Sequence, residues 1–175
     1  MRSGFTLIET LIALTIIALI AAISVPYLYI AVKRIQTNSI IESTTLGLRQ
    51  FFVDARVNSI VENTKYTFSY EESNHSFTFT PSDGDLSAIT YTVPGDFEKV
   101  AQIEKSPQSG TYDLTSEDEK YYFFKGLFVT DDPVGYKLIT ESFGIKIKAK
   151  DSNINAIERS VILTKGLAVA TEVTS

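Results

Sequence analysis

The sequence contains no cysteine and only one histidine among its 175 residues. Without cysteine, the chain has no disulfide framework, no thiolate metal site and no cysteine nucleophile. A lone histidine offers little material for a histidine metal cluster or a Ser-His-Asp triad. This residue, His75, follows a polar stretch between two aromatic-rich runs. We therefore expect it to be a solvated loop residue.

The sequence also lacks an excess of positive charge. It has 16 Lys and Arg and 21 Asp and Glu, which gives a net charge of −5. Proteins that bind nucleic acid usually present a basic surface, so this balance argues against DNA or RNA as a partner. The one basic cluster consists of Lys146, Lys148, Lys150, Arg159 and Lys165. Lysines on the wet face of an edge strand also prevent edge-to-edge pairing. We do not expect nucleic-acid binding, and DNA capture stays open only as an alternative.

Charge is almost absent from residues 5–30, where Glu9 is the only charged residue. A bilayer is crossed by about 20 apolar residues. The run is longer than that, and a secretory signal has an apolar region of only about 7–15 residues closed by a small-residue cleavage site. The pattern predicts one membrane-spanning helix. A carboxylate inside it costs about 2.5–3.5 kcal/mol on insertion scales, so Glu9 needs a partner.

The segment Gly-Phe-Thr-Leu-Ile-Glu at residues 4–9, followed by this apolar run, resembles the class III signal of type IV prepilins and type II secretion pseudopilins. The resemblance implies that a prepilin peptidase removes residues 1–4, cutting after Gly4, and methylates the amine of Phe5. Glu9 is then the fifth mature residue, the assembly position of the family. Pro26 becomes the twenty-second, where many members carry proline, and we expect a helix kink there.

An assembly mechanism is also implied by the resemblance. The new ammonium of Phe5 on one subunit pairs with Glu9 of a staggered neighbour, so that each buried charge meets an opposite one. The implied partners are other pilins or pseudopilins of the filament, the peptidase and the inner membrane. The domain after the membrane helix is expected on the extracytoplasmic side. No cofactor and no enzymatic activity are expected.

Beyond the membrane segment of residues 5–32, apolar and small residues recur at three- or four-residue spacing, which predicts an amphipathic continuation of the helix to about residue 61. The residues on this stripe are Ile41, Thr44, Thr45, Leu48, Phe52, Ala55 and Ser59. From residue 66 the period changes to two, with strands predicted at 66–70, 77–80, 89–93, 121–129, 136–140, 143–149, 156–163 and 167–173. Residues 96–119 are expected to form a long loop.

These elements predict an α+β subunit in which a long helix packs on an antiparallel β-sandwich or sheet, with a globular domain of residues 33–175. Within the family this resembles the GspH/FimT type of minor pilins and pseudopilins. The segment LRQFFVDARVNSIV at residues 48–61, ahead of the strands, and the closing hairpin at 161–169 carry that resemblance. It implies a minor filament subunit, of either a type II secretion pseudopilus or a type IV pilus.

Two acidic segments, residues 82–85 and 115–119, have oxygen ligands that calcium accepts. Neither has the alternating ligand ladder of a calcium loop, so we expect no metal site. A membrane-anchored enzyme is a further alternative. The sequence has no Gly-x-Ser-x-Gly and no phosphate-binding loop, which argues against it.

Overall fold

The computed structural model describes residues 6–104, 121–132, 135–138, 143–151, 157–164 and 168–174. It begins with a helix of 55 residues, α1 (Leu7–Val61), and has a short second helix, α2 (Phe97–Val100). The described strands are β1 (Tyr66–Glu71), β2 (Ser76–Pro81), β3 (Ile89–Thr92), β4 (Ala101–Glu104), β5 (Tyr121–Phe124), β6 (Leu127–Asp132), β7 (Gly135–Leu138), β8 (Phe143–Ala149), β9 (Glu158–Thr164) and β10 (Ala168–Thr174).

The strands form two antiparallel sheets. One sheet has six strands in the order β3-β2-β1-β5-β6-β7, and the other has four in the order β10-β9-β8-β4. Buried side chains from α1 and from both sheets belong to one apolar cluster, which includes Phe52, Phe79 and Ile147. The α+β fold predicted from the sequence is confirmed.

The chain divides into two compact units, Met1–Thr37 and Asn38–Ser175. In the first unit, the large apolar side chains of α1 from Leu7 to Val32 are exposed, from 46% at Ile30 to 82% at Leu7. Monomeric soluble proteins rarely expose a contiguous apolar surface of this kind, so lipid or protein must cover it.

In the second unit, α1 buries one face against the sheets. The seven residues of the predicted stripe, from Ile41 to Ser59, are each no more than 1% exposed, which confirms that prediction. Phe51, which the stripe did not include, is also buried. The helix ends at Val61, and Asn63 then adopts a left-handed conformation with φ of 50°. Asparagine is one of the residues that tolerate this conformation after a helix.

Two sequence predictions for the middle of the chain are wrong. Part of the expected loop at 96–119 is ordered as α2 and β4, and Phe97 is completely buried. The segment 121–129, expected as one strand, is a hairpin of β5 and β6 around Lys125 and Gly126, which have φ angles of 50° and 78°. Apolar residues of this segment are mixed with Glu98, Lys99 and Gln102, so its average polarity concealed the buried Phe97. Residues 105–120 lie outside the described part.

Candidate functional site

The predicted processing site, Gly4 and Phe5, lies outside the described residues, which begin at Thr6. Helix α1 continues through Pro26 without interruption. The kink at Pro26 therefore stays a prediction. Among the described residues, one helix, α1, is long and apolar enough to cross a membrane.

Glu9 forms a reciprocal cap with Thr6 at the start of α1. The backbone N–H and the hydroxyl of Thr6 both donate to Oε2 of Glu9, each at 2.9 Å. In return, the backbone N–H of Glu9 donates to Oγ1 of Thr6 at 3.4 Å. This arrangement is a capping box, in which Thr and Glu three residues apart satisfy each other's backbone donors. The sequence analysis missed this cap, although Thr-x-x-Glu is its signature.

The capping box gives Glu9 a partner inside its own chain. A carboxylate has about four acceptor positions on its two oxygens, so two hydrogen bonds to Thr6 leave capacity for an ammonium group. Glu9 can thus be held in one orientation by Thr6 and still meet a positive charge from a neighbour. The cap orients the charged group at the end of an apolar helix.

Near its other end, α1 is attached to the β5–β6 turn by three residues, which we call the turn clamp: Arg56, Ser59 and Gly126. Nε of Arg56 donates to the carbonyl of Gly126 at 3.1 Å, and the N–H of Gly126 donates to Oγ of Ser59 at 3.0 Å. A Cβ on Gly126 would lie 2.7 Å from Cδ1 of Ile60. Glycine therefore satisfies both a left-handed turn and a close approach to the helix.

A second attachment joins α1 to β3. The ring of Tyr91 packs on Gly47, where a Cβ would come within 2.5 Å of it. The hydroxyl of Tyr91 donates to the carbonyl of Thr44 at 3.3 Å. Burial raises the pKa of Tyr91, so the phenol stays neutral. The turn clamp and this contact fix the second half of α1 at two separate points of the six-stranded sheet.

Another part of the surface is an outer apolar face formed by Leu46, Val57 and Ile60 on α1 together with Leu127 at the start of β6. These side chains are 38–54% exposed. A helix with one buried face normally carries polar residues on the opposite side. Here Leu46 and Val57 are exposed beside polar residues such as Gln50 and Asp54, and the sequence analysis did not single them out.

The basic cluster is largely engaged in contacts within the domain. Lys146 pairs with Glu158, and Nζ of Lys150 donates to the carbonyl of Glu98 at 2.6 Å. Arg159 lies 3.4 Å from the carboxylate of Glu42. Lys148 also has an interaction partner, and Lys165 lies outside the described residues. Because these side chains interact within the domain, less of their positive charge is available to bind DNA.

The other sequence candidates are placed as follows. Residues 82–85 form a turn in which the N–H of Asp85 donates to Oδ1 of Asp83 at 3.2 Å. The segment 115–119 lies outside the described part. Within the part that the structure describes, no group of three or more His, Cys, Asp or Glu could hold a metal ion. His75 is not the solvated loop residue that we expected, because its side chain is only 23% exposed and contacts Tyr70 and Glu98.

Comparisons with known proteins found a similarity to a family model and a similarity to a solved structure. Residues 1–25 match the family model described as the prokaryotic N-terminal methylation motif. The minor pseudopilin EpsH from the Type 2 Secretion System of Vibrio cholerae has a similar structure, with a TM-score of 0.49 and 8% identity over 75% of this chain and 95% of that chain. No curated protein sequence matches the chain.

Within the described residues, the chain has one amino-terminal helix of membrane-spanning length, and an antiparallel β domain follows it. Over its first 25 residues, the chain is similar to proteins that carry the prokaryotic N-terminal methylation motif.

Proposed function

We propose that the protein is a minor structural subunit of a type IV filament machine and that it assembles through its amino-terminal helix. The observation that carries this proposal is the exposed apolar surface of α1 from Leu7 to Val32, which holds one charged residue, Glu9. A lipid bilayer covers this surface before assembly, and neighbouring subunits cover it afterwards. The filament is a type II secretion pseudopilus or a type IV pilus. Pilin-like proteins are structural, and we propose no enzymatic activity.

In this proposal, a prepilin peptidase cuts after Gly4 and methylates Phe5. The protein is anchored in the inner membrane, with residues 33–175 on the extracytoplasmic side. The methylation motif at residues 1–25 supports this processing. Intact-mass analysis of the protein purified from native membranes tests it: we expect loss of residues 1–4 and the gain of one methyl group. A retained leader would contradict it.

Assembly then depends on two apolar surfaces and one ion pair. The ammonium of Phe5 pairs with Glu9 of a neighbouring subunit, which offsets the cost of placing both charges in an apolar layer. The outer apolar face offers neighbouring subunits a second contact on the globular domain. The partners are other pilins or pseudopilins of the same filament.

The capping box permits a test that separates the charge of Glu9 from its effect on the helix. Glu9→Gln keeps a capping side chain, since glutamine also serves in the box, but removes the charge. Thr6→Val keeps the charge and removes the hydroxyl, which costs about 0.5–2 kcal/mol of helix stability for a lost N-cap. Both full-length variants are expressed with the partner subunits, and membrane level and cross-linking to those subunits are measured.

We expect Glu9→Gln to reach the membrane normally and to lose most of its cross-links, while Thr6→Val keeps the majority of them. Normal cross-linking of Glu9→Gln would overturn the ion-pair mechanism. If Thr6→Val fails as completely as Glu9→Gln at equal membrane levels, assembly requires the cap as well as the charge.

A further inference from the structure

The one histidine of the chain lies at the place where the two sheets are connected. His75 ends the turn between β1 and β2 and has a φ angle of 48°. Its carbonyl accepts a hydrogen bond from the N–H of Val93 at 3.2 Å, just after β3. Its ring contacts the ring of Phe97 in α2 at 6.3 Å between centroids. The backbone of His75 thus belongs to the six-stranded sheet, while its side chain faces α2.

Both ring nitrogens of His75 have partners. Nδ1 lies 2.7 Å from the hydroxyl of Tyr70 in β1, and Nε2 lies 3.3 Å from Oε1 of Glu98 in α2. Helix α2 leads directly into β4, which pairs with β8 in the four-stranded sheet. The carbonyl of Glu98 accepts a hydrogen bond from Lys150, just after β8. Tyr70, His75 and Glu98 therefore link one sheet to the element that enters the other.

The surroundings of the imidazole are mostly acidic. Burial, followed by the carboxylates of Glu72 and Glu98, raises the pKa of Tyr70 to about 12. Lys99 of α2 pairs at 2.8 Å with Asp96, the residue before α2. A further cation, Lys150, is bonded to the backbone of α2. A protonated imidazole would carry its positive charge 3.3 Å from the carboxylate of Glu98.

We propose that His75 is a pH-sensitive latch that fastens α2 to the β1–β2 turn more tightly when its imidazole is protonated. The neutral ring accepts a hydrogen bond from Tyr70 and donates one to Glu98. The protonated ring converts the second contact into an ion pair. An imidazole changes charge within the range of pH 5–8. Acidification of the medium around the globular domain therefore lowers the population in which α2 is detached.

Hydrogen exchange of the full-length protein in detergent micelles tests the latch. Protection of peptides covering residues 94–104 is measured at pH 5.5 and 7.5, corrected for intrinsic exchange and normalised to peptides of the α1 core. We expect relative protection to be about two- to fivefold higher at pH 5.5, the range that a partly exposed ion pair supplies. His75→Asn, which tolerates a positive φ, should abolish this difference.

Glu98→Gln should also abolish the pH difference and keep the protection seen at pH 7.5, because glutamine still accepts the hydrogen bond. Asp96→Asn is the matched control, since it removes a carboxylate of α2 that pairs with Lys99, and the pH difference should persist. Equal relative protection at both pH values in the unmodified protein, or a pH difference that survives in Glu98→Gln, would overturn the proposal.

Discussion

The two halves of α1 are built for different surroundings. From Leu7 to Val32, the large apolar side chains are exposed on every side of the helix. From Ile41 to Ser59, one stripe is completely buried, while Glu42 and Asp54 face solvent. The secondary structure is the same in both halves, so the helix itself does not distinguish them. What differs is the distribution of apolar side chains around its axis.

This difference shows where the stability of each half comes from. An isolated helix gains little stability from propensity alone, and most helical stability in proteins comes from packing of an apolar face. The second half obtains that packing from its own sheets. Under the proposed function, the first half obtains this packing from lipid or from other subunits. The folding of the second half is therefore a property of the chain, while the placement of the first half depends on its surroundings.

The largest expected effect is obtained by separating the halves. Residues 33–175 alone should be soluble and should unfold cooperatively in urea, because the buried stripe stays with the core. The full-length chain should require detergent, because the surface from Leu7 to Val32 stays uncovered in water. Circular dichroism and analytical ultracentrifugation measure both properties. A disordered 33–175 fragment would show that the globular domain depends on residues before 33.

One substitution in each half of α1 compares how much a single side chain contributes to stability. Phe52 packs between strands, with ring centroids 5.7 Å from Phe68, 5.6 Å from Phe79 and 6.4 Å from Phe128. Phe52→Ala should lower the free energy of unfolding by about 3–5 kcal/mol. Leu14→Ala, at a position 64% exposed, should leave it unchanged. Urea unfolding of the full-length protein in detergent measures both, and equal losses would mean that the halves share one core.

The sequence predicted those features whose interacting residues are close together along the chain. It did not predict contacts between residues that are far apart along the chain. The period of apolar residues predicted α1 almost to the residue, because the pattern is local. The contact between His75 and Glu98 was missed, because 23 positions separate the two residues and only tertiary folding brings them together. The capping box of Thr6 and Glu9 is local and was available in the sequence. The processing site at Gly4 and Phe5 stays a prediction.

A substitution in the turn clamp tests how tightly the second half of α1 packs against the six-stranded sheet. Gly126→Ala places a Cβ at a φ of 78° and 2.7 Å from Ile60. A non-glycine residue in the left-handed region costs about 1–3 kcal/mol. Gly84→Ala is the matched control, since nothing lies within 4 Å of its Cβ position. Thermal unfolding should show a lower Tm for Gly126→Ala only. An equal Tm for both variants would mean that the turn does not require glycine at this position.

Alkaline pH should weaken the globular domain, because a buried tyrosine of β1 stays protonated in the folded chain. Burial, followed by the hydrogen bond to Glu62, raises the pKa of Tyr66 to about 12. The unfolded chain releases this proton near pH 10, and the folded chain holds it, so stability is fully present below pH 10 and is lost as the pH rises towards about 12. Urea unfolding at pH 9, 10 and 11 measures the decline. Tyr66→Phe should show a shallower decline, and an identical slope would assign the effect to other groups.

The smallest effect on stability is expected at the outer apolar face, where the effect on assembly should be clear. Val57 is 48% exposed, so Val57→Gln should change the free energy of unfolding by no more than about 0.5 kcal/mol. Asp54→Asn, at an exposed position one turn earlier in α1, is the matched control for altered surface polarity. If neighbouring subunits cover the outer apolar face, Val57→Gln should reduce cross-linking to them while Asp54→Asn does not. Unchanged cross-linking of Val57→Gln, together with loss of cross-linking in Glu9→Gln, would confine assembly to the first half of the helix. That result would show that the apolar residues of the outer face are not an assembly contact, and it would leave the proposed filament function intact.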